Sequence, residues 1–289
     1  MKPAPFEYHA PVTVADAVGL LAEHGDEAKV LAGGQSLVPM LALRLARFGH
    51  LVDLNRVTEL DGISRENGSL RIASMTRQAV VGDHPDVAKA VPLLAQATPL
   101  IGHFQIRNRG TLGGSIAHAD PASEYPAVAL ALDARMEVAG TGGTRMVPAS
   151  EFFVSTWTTS METEELLTAV HFPVWEGRCG WAVEEVARRH GDFALVGAAC
   201  GVRLGDDDAV EQAGVALFGV ATTPFRAGAV EQALVGATAG ADLAGIAREG
   251  LRDLEPTDDV HASADYRRRV SAVVVERALR RAIEEAARG

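Results

Sequence analysis

Two stretches of this chain repeat one pattern, LAGGQSLVPM at residues 31–40 and TLGGSIAHAD at residues 111–120. Each places two adjacent glycines and a hydroxyl side chain among apolar residues. Glycine tolerates positive φ and lets backbone approach other groups closely. A Gly-Gly pair after an apolar run therefore makes either a tight turn or a concave row of N–H groups that holds an anion. A turn explains one such stretch. Two of them, each set before a predicted helix, point to a ligand carrying two phosphates or to one turn chemistry used twice. Neither is a Walker loop, because no GxxxxGK[ST] occurs, and neither has the GxGxxG spacing of a Rossmann dinucleotide loop.

The surrounding pattern is α/β. Thr13 caps a helix over VADAVGLLAEH that Gly25 ends, and AKVLAGG is a short buried strand running into the first glycine pair. Ser36 is placed to cap a second helix with Pro39 near its start, carried on through MLALRLARF by Leu41, Leu45 and Phe48. HLVDLN follows as a strand. Asn67-Gly68 marks a hairpin in ISRENGSLRIAS, DVAKAVPLLAQAT is helical, and ASEYPAVALALD is a helix behind the second glycine pair. ARMEVAG and TRMVPAS flank a TGG turn, and ELLTAVHFP reads as a strand leaving the domain. Periodicity breaks at residues 174–180, and three strand-like segments follow: GWAVEEVARR, FALVGAACGVRLG and AVEQAGVALFGVA. Three helical segments close the chain, the last long and amphipathic. They predict an antiparallel sheet with helices on one side.

At 289 residues, two domains are expected, with a core built mainly of Ala, Val and Leu, since 47% of residues are apolar but only 5% aromatic. Lys and Arg number 27 against 38 Asp and Glu, a net charge of −11 that argues against nucleic acid as the main partner. The clusters Arg107/Arg109 and Arg267/Arg268/Arg269 read as solvated faces. The amino-terminal residues lack the apolar core of a secretory signal, and no apolar run approaches the ~18 residues of a membrane span, so a cytoplasmic protein is expected. The two cysteines, Cys179 and Cys200, read as buried small hydrophobes. They exclude a four-cysteine iron–sulfur cluster held by this chain alone. His118, Asp120 and Glu124 suggest a metal, but without a second His at ligand spacing, hydrogen bonding within the loop is the better reading. Glu124 or Asp120 is alternatively an acceptor for a ribityl or ribose hydroxyl. The residues by themselves reach a two-domain α/β protein that binds a pyrophosphate-bearing cofactor, and they do not name it.

The segments KVLAGGQSLVPML and IGHFQIRNRGTLGGSIAHADPASEYPAVALALDA closely resemble the FAD-binding (medium) subunit of molybdenum hydroxylases of the carbon monoxide dehydrogenase and xanthine dehydrogenase type. EEVARRHGDFALVGAACGVRL resembles the start of that family's C-terminal domain. The resemblance implies an α+β fold: a two-lobed vanillyl-alcohol-oxidase (PCMH)-type FAD-binding domain over residues 1–175, with lobes of about 1–55 and 56–175. A small α+β domain over residues 176–289 follows.

It implies that Val30, Leu31, Ala32, Gly33, Gly34, Gln35, Ser36 and Leu37 wrap the FAD pyrophosphate from the first lobe, and that Thr111, Gly113, Gly114 and Ser115 do so from the second. Glu124, with Asp120 as second candidate, falls near the sugar hydroxyls. Ile101 falls near the isoalloxazine ring, and Leu195 reaches the flavin from the C-terminal domain, where xanthine-type members carry a lysine. The implied partners are a molybdenum cofactor-binding large subunit and a small subunit with two [2Fe-2S] clusters, which pass electrons through FAD to an external acceptor. No catalytic side chain and no metal ligand are implied on this chain. The competing readings are a stand-alone flavin oxidase of the same fold, which needs a larger substrate domain, and a non-catalytic nucleotide-binding or assembly protein. Substrate and acceptor (NAD, a quinone or oxygen) stay open.

Overall fold

The computed structural model describes residues 2–238 and 240–289. Thr13 caps the first helix, Val14–His24, by accepting the Asp16 N–H at 3.0 Å, and Gly25 ends it at φ +49°. The first lobe is a parallel three-stranded sheet in the order Glu7–His9, His50–Asp53, Ala28–Leu31. The outer strand Glu7–His9 has no strand signature in the sequence; the lobe's order is therefore β-α-β-α-β.

The helix after the first glycine pair is shorter than its apolar spacing predicts. It spans only Leu37–Ala42, and the chain then reverses at Arg44, whose φ is +58°. Leu45, expected on the buried face, is 74% exposed. Ser36 adopts helical dihedrals and makes no side-chain cap, so its hydroxyl has no partner among the described residues.

The second lobe carries an antiparallel sheet ordered Ile63–Glu66, Ser69–Ala73, Leu166–Pro173, Arg135–Gly140, Gly143–Pro148. The expected hairpin turns at Asn67 and Gly68, both at positive φ (48° and 77°). Leu166–Pro173, read from sequence as a strand leaving the domain, is the central strand. Nearly all of it is buried, because both faces are covered and no solvent side imposes alternation. Proline also divides the predicted long helix into Pro85–Ala90 and Pro92–Ala97.

The last sheet is antiparallel and four-stranded: Arg178–Ala187, Ala194–Leu204, Val210–Phe218 and the short Phe225–Arg226. The three helices that close the chain pack in one core on one face of this sheet, as expected, and the other face is also covered. Ala264–Ala286 covers one face, and Glu124–Ala131 of the second lobe covers the other. Small residues make both approaches possible. A Cβ on Gly180 would stand 1.9 Å from the Ala282 carbonyl oxygen, and one on Gly214 would stand 2.1 Å from that of Ala131. The core that joins Leu94, Leu112 and Val128 to Trp181, Ala199 and Phe218 is thus continuous between the two parts of the chain.

Of the arginine clusters expected to be solvated, two members are structural. Arg267 is 4% exposed, and its guanidinium donates to the Leu195 carbonyl at 3.2 Å and to Asp259 at 2.7 Å. Arg107 donates to the carbonyls of Ile101 (2.9 Å) and Gly102 (3.0 Å). Cys200 is buried as expected, whereas Cys179 is only partly so.

Candidate cofactor site between two glycine segments

The strand Ala28–Leu31 delivers the first glycine pair to the carboxyl edge of the parallel sheet, where open α/β sheets hold ligands. Gly34 turns the chain at φ +73°, and Gln35 folds back to donate to the Gly33 carbonyl at 3.1 Å. Among the described residues, no protein acceptor pairs with the N–H groups of Gly33, Gly34, Gln35 or Ser36. Four consecutive free amides and the Ser36 hydroxyl, without a partner among the described residues, form a candidate anion nest.

The second glycine pair is built differently. Sequence pattern treats it as a second nest, but Gly113 and Gly114 lie in the first turn of the helix Leu112–His118, and the protein already uses their amides. Leu112 N–H donates to Thr76 O (3.0 Å), Gly113 N–H to Ser74 O (2.8 Å), Gly114 N–H to the Thr111 hydroxyl (3.0 Å), and Ser115 N–H to Thr111 O (3.2 Å). What this pair supplies is closeness. A Cβ at Gly113 would collide with Ser74 at 2.3 Å, and one at Gly114 would touch the Ala32 Cβ at 3.5 Å, so the two glycine segments lie side by side.

A polar cross-brace that the sequence reading missed fixes this contact. Asn55 donates to the Ala32 carbonyl at 3.2 Å, Arg77 donates to the Asn55 amide oxygen at 2.6 Å, and Arg77 also donates to the Arg109 carbonyl. Asn55 follows a strand and Arg77 precedes a helix, 22 residues apart, so no local pattern marks them as partners.

Beyond the second segment the chain turns at Ala119 (φ +52°) into residues 120–123. Asp120 is spoken for: its carboxylate accepts the Ala122 N–H at 2.9 Å and the Trp157 indole N–H at 3.2 Å. The His118 ring lies parallel to Trp157 (centroids 6.2 Å apart, 9°), and burial lowers its pKa. His118, Asp120 and Glu124 do not form a metal-ligating group among the described residues.

Glu124, at the start of Glu124–Ala131, is 7% exposed. Burial, reinforced by the negative Glu185 and Asp120 nearby, pushes its pKa up to about 8 despite an opposing backbone hydrogen bond. Burial likewise raises Glu185, on Arg178–Ala187, to about 7, and its Oε2 has no partner among the described residues. Two carboxyls, one from each part of the chain, thus hold protons near neutral pH.

Two close glycine contacts carry the band across to the C-terminal sheet. Gly191 (φ +81°) packs on Gly102 and His103, bringing the turn before Leu195 against the segment that contains Ile101. Gly219 donates its N–H to Pro121 O at 2.7 Å, and a Cβ on it would stand 2.9 Å from the Leu195 carbonyl. These contacts bring the turn before Leu195 beside the Ile101 segment, and the Leu195 carbonyl beside Pro121 next to Asp120. Among the other sequence-predicted positions, Val30 packs on the first-lobe core, while Leu31 and Leu37 flank the nest on its strand and helix.

A two-lobed α/β unit with a candidate anion nest pressed against a second glycine segment, capped by a small α+β domain, has the architecture of a dinucleotide-binding protein. Comparison with known proteins specifies which. Residues 4–175 match the family model for the FAD binding domain in molybdopterin dehydrogenase, and residues 181–282 match that for the CO dehydrogenase flavoprotein C-terminal domain. The chain belongs to the FAD-binding medium subunits of molybdenum hydroxylase-type complexes.

It is 40% identical over 287 residues to the 6-hydroxypseudooxynicotine dehydrogenase complex subunit alpha of Paenarthrobacter nicotinovorans (99% of this chain, 97% of that one). It is 39% identical over 280 residues to the carbon monoxide dehydrogenase medium chain of Hydrogenophaga pseudoflava (96% and 97%). A solved carbon monoxide dehydrogenase structure from Hydrogenophaga pseudoflava superposes with a TM-score of 0.95, at 40% identity and 99% coverage of both chains. FAD is thus the cofactor of the family, and the free amides at residues 33–36 fit its pyrophosphate. No helix among the described residues is long and apolar enough to cross a membrane.

Proposed function

We propose that this chain is the electron-exit subunit of a molybdenum hydroxylase. It would take electrons from [2Fe-2S] clusters on a small partner subunit, reduced by a molybdenum centre on a large one, and deliver them through FAD to an external acceptor. The carrying observation is a family membership that spans nearly the whole chain, in a chain with no ligand set for a cluster of its own. It has two cysteines, one buried inside a sheet. In this reading the electrons arrive from another chain.

Bound flavin supplies the chemistry by accepting electrons singly and releasing them as a pair. The protein's own residues bind and orient it. The Gly33, Gly34, Gln35 and Ser36 amides meet the pyrophosphate charge. The Thr111 to Ser115 segment, with Gly114 bare against Ala32, closes the other side. Glu124, protonated near neutral pH, has an O–H to offer a sugar hydroxyl without bringing a negative charge beside the phosphates. Ile101 and Leu195 form the apolar approach to the ring, and leucine in place of lysine removes a cation from that approach. Val38, Leu43 and Leu45, exposed just after the nest, support a partner surface there.

The test is purification of the full chain from its native host under anaerobic conditions, with metal and flavin analysis. One molybdenum centre and two [2Fe-2S] clusters per FAD, with flavin bleached by a substrate that acts at molybdenum, is the expected result. A chain isolated alone whose flavin is reduced directly by a small alcohol or acid would establish the stand-alone oxidase instead. A folded, colourless chain that takes up no FAD would establish a non-catalytic role.

A further inference from the structure

Near the amino end of the central first-lobe strand, three histidines converge from three elements. His9 ends the strand Glu7–His9, His24 is the last residue of the helix Val14–His24, and His50 opens the strand His50–Asp53. One ligand nitrogen from each lies within 4.8 Å of the others, and this is the metal-compatible group found among the described residues. His9 Nε2 and His50 Nδ1 are 3.1 Å apart, and the His24 and His50 rings stack at 3.8 Å and 3°. All three side chains are partly buried, so they are held by packing yet reachable from solvent.

We infer that His9, His24 and His50 form a structural site for a divalent transition metal of the zinc class. Zinc–imidazole bonds of about 2.0–2.1 Å in a tetrahedron place ligand nitrogens about 3.3 Å apart, so the His9–His50 pair is already at ligand spacing, while the His24 ring, stacked parallel on that of His50, has to rotate out of the stack to aim a nitrogen at the same ion. The electrostatic surroundings agree. The Glu7 carboxylate lies 3.6 Å from His50 Nδ1, close to the spacing of a fourth ligand. The Glu27 carboxylate borders Gly49, the residue before His50.

The fold explains what such a site would do. The helix end, the edge strand and the central strand meet here, and the edge strand Glu7–His9 is three residues long. A metal would pin that strand and the helix C-terminus to the sheet. In the sheet register His9 is level with Val30 and His50 with Ala28, so the cluster lies about 10–16 Å along the strands from Gly33, at about 3.3 Å per residue.

The test uses the full chain without an affinity tag, stripped with a chelator and titrated with Zn2+ against a chromophoric competitor, and separately with Co2+. One Zn2+ per chain is expected, with the intense visible bands of tetrahedral Co2+ and a rise in melting temperature on adding Zn2+. H9Q, H24Q and H50Q should each weaken Zn2+ binding at least tenfold, while circular dichroism and FAD uptake report that the variants stay folded. H24Q, at a helix end, is the variant least able to disturb folding and decides the case if the others do not fold. Wild-type affinity in H24Q, or only weak octahedral Co2+ absorption in the wild type, would overturn the assignment.

Discussion

Gly33 sits directly against the backbone of Arg109: a Cβ at position 33 would stand 2.3 Å from the Arg109 carbonyl oxygen and 2.7 Å from the Cα of Gly110. This contact locks the nest of the first lobe onto the segment that leads into Thr111. Backbone cannot yield as a flexible side chain does. Gly33→Ala should therefore cost about 1–3 kcal/mol of stability and weaken FAD binding more than tenfold by parting the two segments. Calorimetric melting and FAD titration measure both. Gly19→Ala is the control: it lies inside the first helix with nothing within 4 Å of an added Cβ. It should stabilise by about 0.5–1 kcal/mol with FAD affinity unchanged.

Glu124 gives a pH signature. Its folded-state pKa of about 8 lies above the ordinary 4.5 of an unfolded glutamate. The charge-dependent penalty is therefore absent below pH 4.5 and grows as pH rises through 4.5 toward 8, reaching on the order of 3 kcal/mol at pH 7. Without cofactor, Glu124→Gln should be more stable than wild type at neutral pH, and the difference should vanish in acid. With FAD, the same variant should bind more weakly if the carboxyl meets a sugar hydroxyl. Denaturant melts across pH, with and without FAD, separate the two effects.

Glu137 should show the opposite sign. Burial alone would raise it, but Arg71 at 2.9 Å, the Thr168 hydroxyl at 2.7 Å and His171 at 3.0 Å prevail and hold it at about 2. Its contribution is present above pH 4.5 and lost as pH falls toward 2. Because the pair is partly solvated, Glu137→Gln should cost about 1–2 kcal/mol at pH 7, and nothing at pH 2. The readout is the same pH series of melts.

Arg267 and Arg269 share one short basic run and should behave differently. Arg267 is buried and forks onto Leu195, Thr257 and Asp259, whereas Arg269 is exposed. Arg267→Lys should lose about 1–3 kcal/mol, since an ammonium cannot reproduce the planar fork. Arg269→Lys should stay within about 0.5 kcal/mol of wild type. Thermal melts of the pair decide it.

These residues also mark where the sequence was legible. Thr13, Gly25, Asn67 and Gly68 act through neighbours within four residues, so the helix cap and the hairpin follow from local pattern. The glycine pairs were legible as a place but not as two different devices. Whether an amide is free depends on Ser74 and Thr76, more than thirty residues before the second pair. The Asn55, Arg77 and Arg109 brace, the Glu124 and Glu185 carboxyls and the buried Arg267 all arise from contacts distant in sequence. So does the central strand Leu166–Pro173, whose burial on both faces removes the alternation that would mark its place. The helix over residues 37–48 failed because apolar spacing continued past the point where Arg44 turns the chain.

The most direct test of two glycine segments clasping one FAD is calorimetric titration of the flavin-free full chain with FAD, beside Gly33→Val and Gly114→Asp. A Cβ at Gly114 would stand 2.7 Å from the Thr111 hydroxyl that caps its helix, so a carboxylate there brings both bulk and negative charge to the phosphate side. One FAD per wild-type chain, with binding lost in both folded variants, is the expected result. FAD bound equally well by wild type and both folded variants would contradict it.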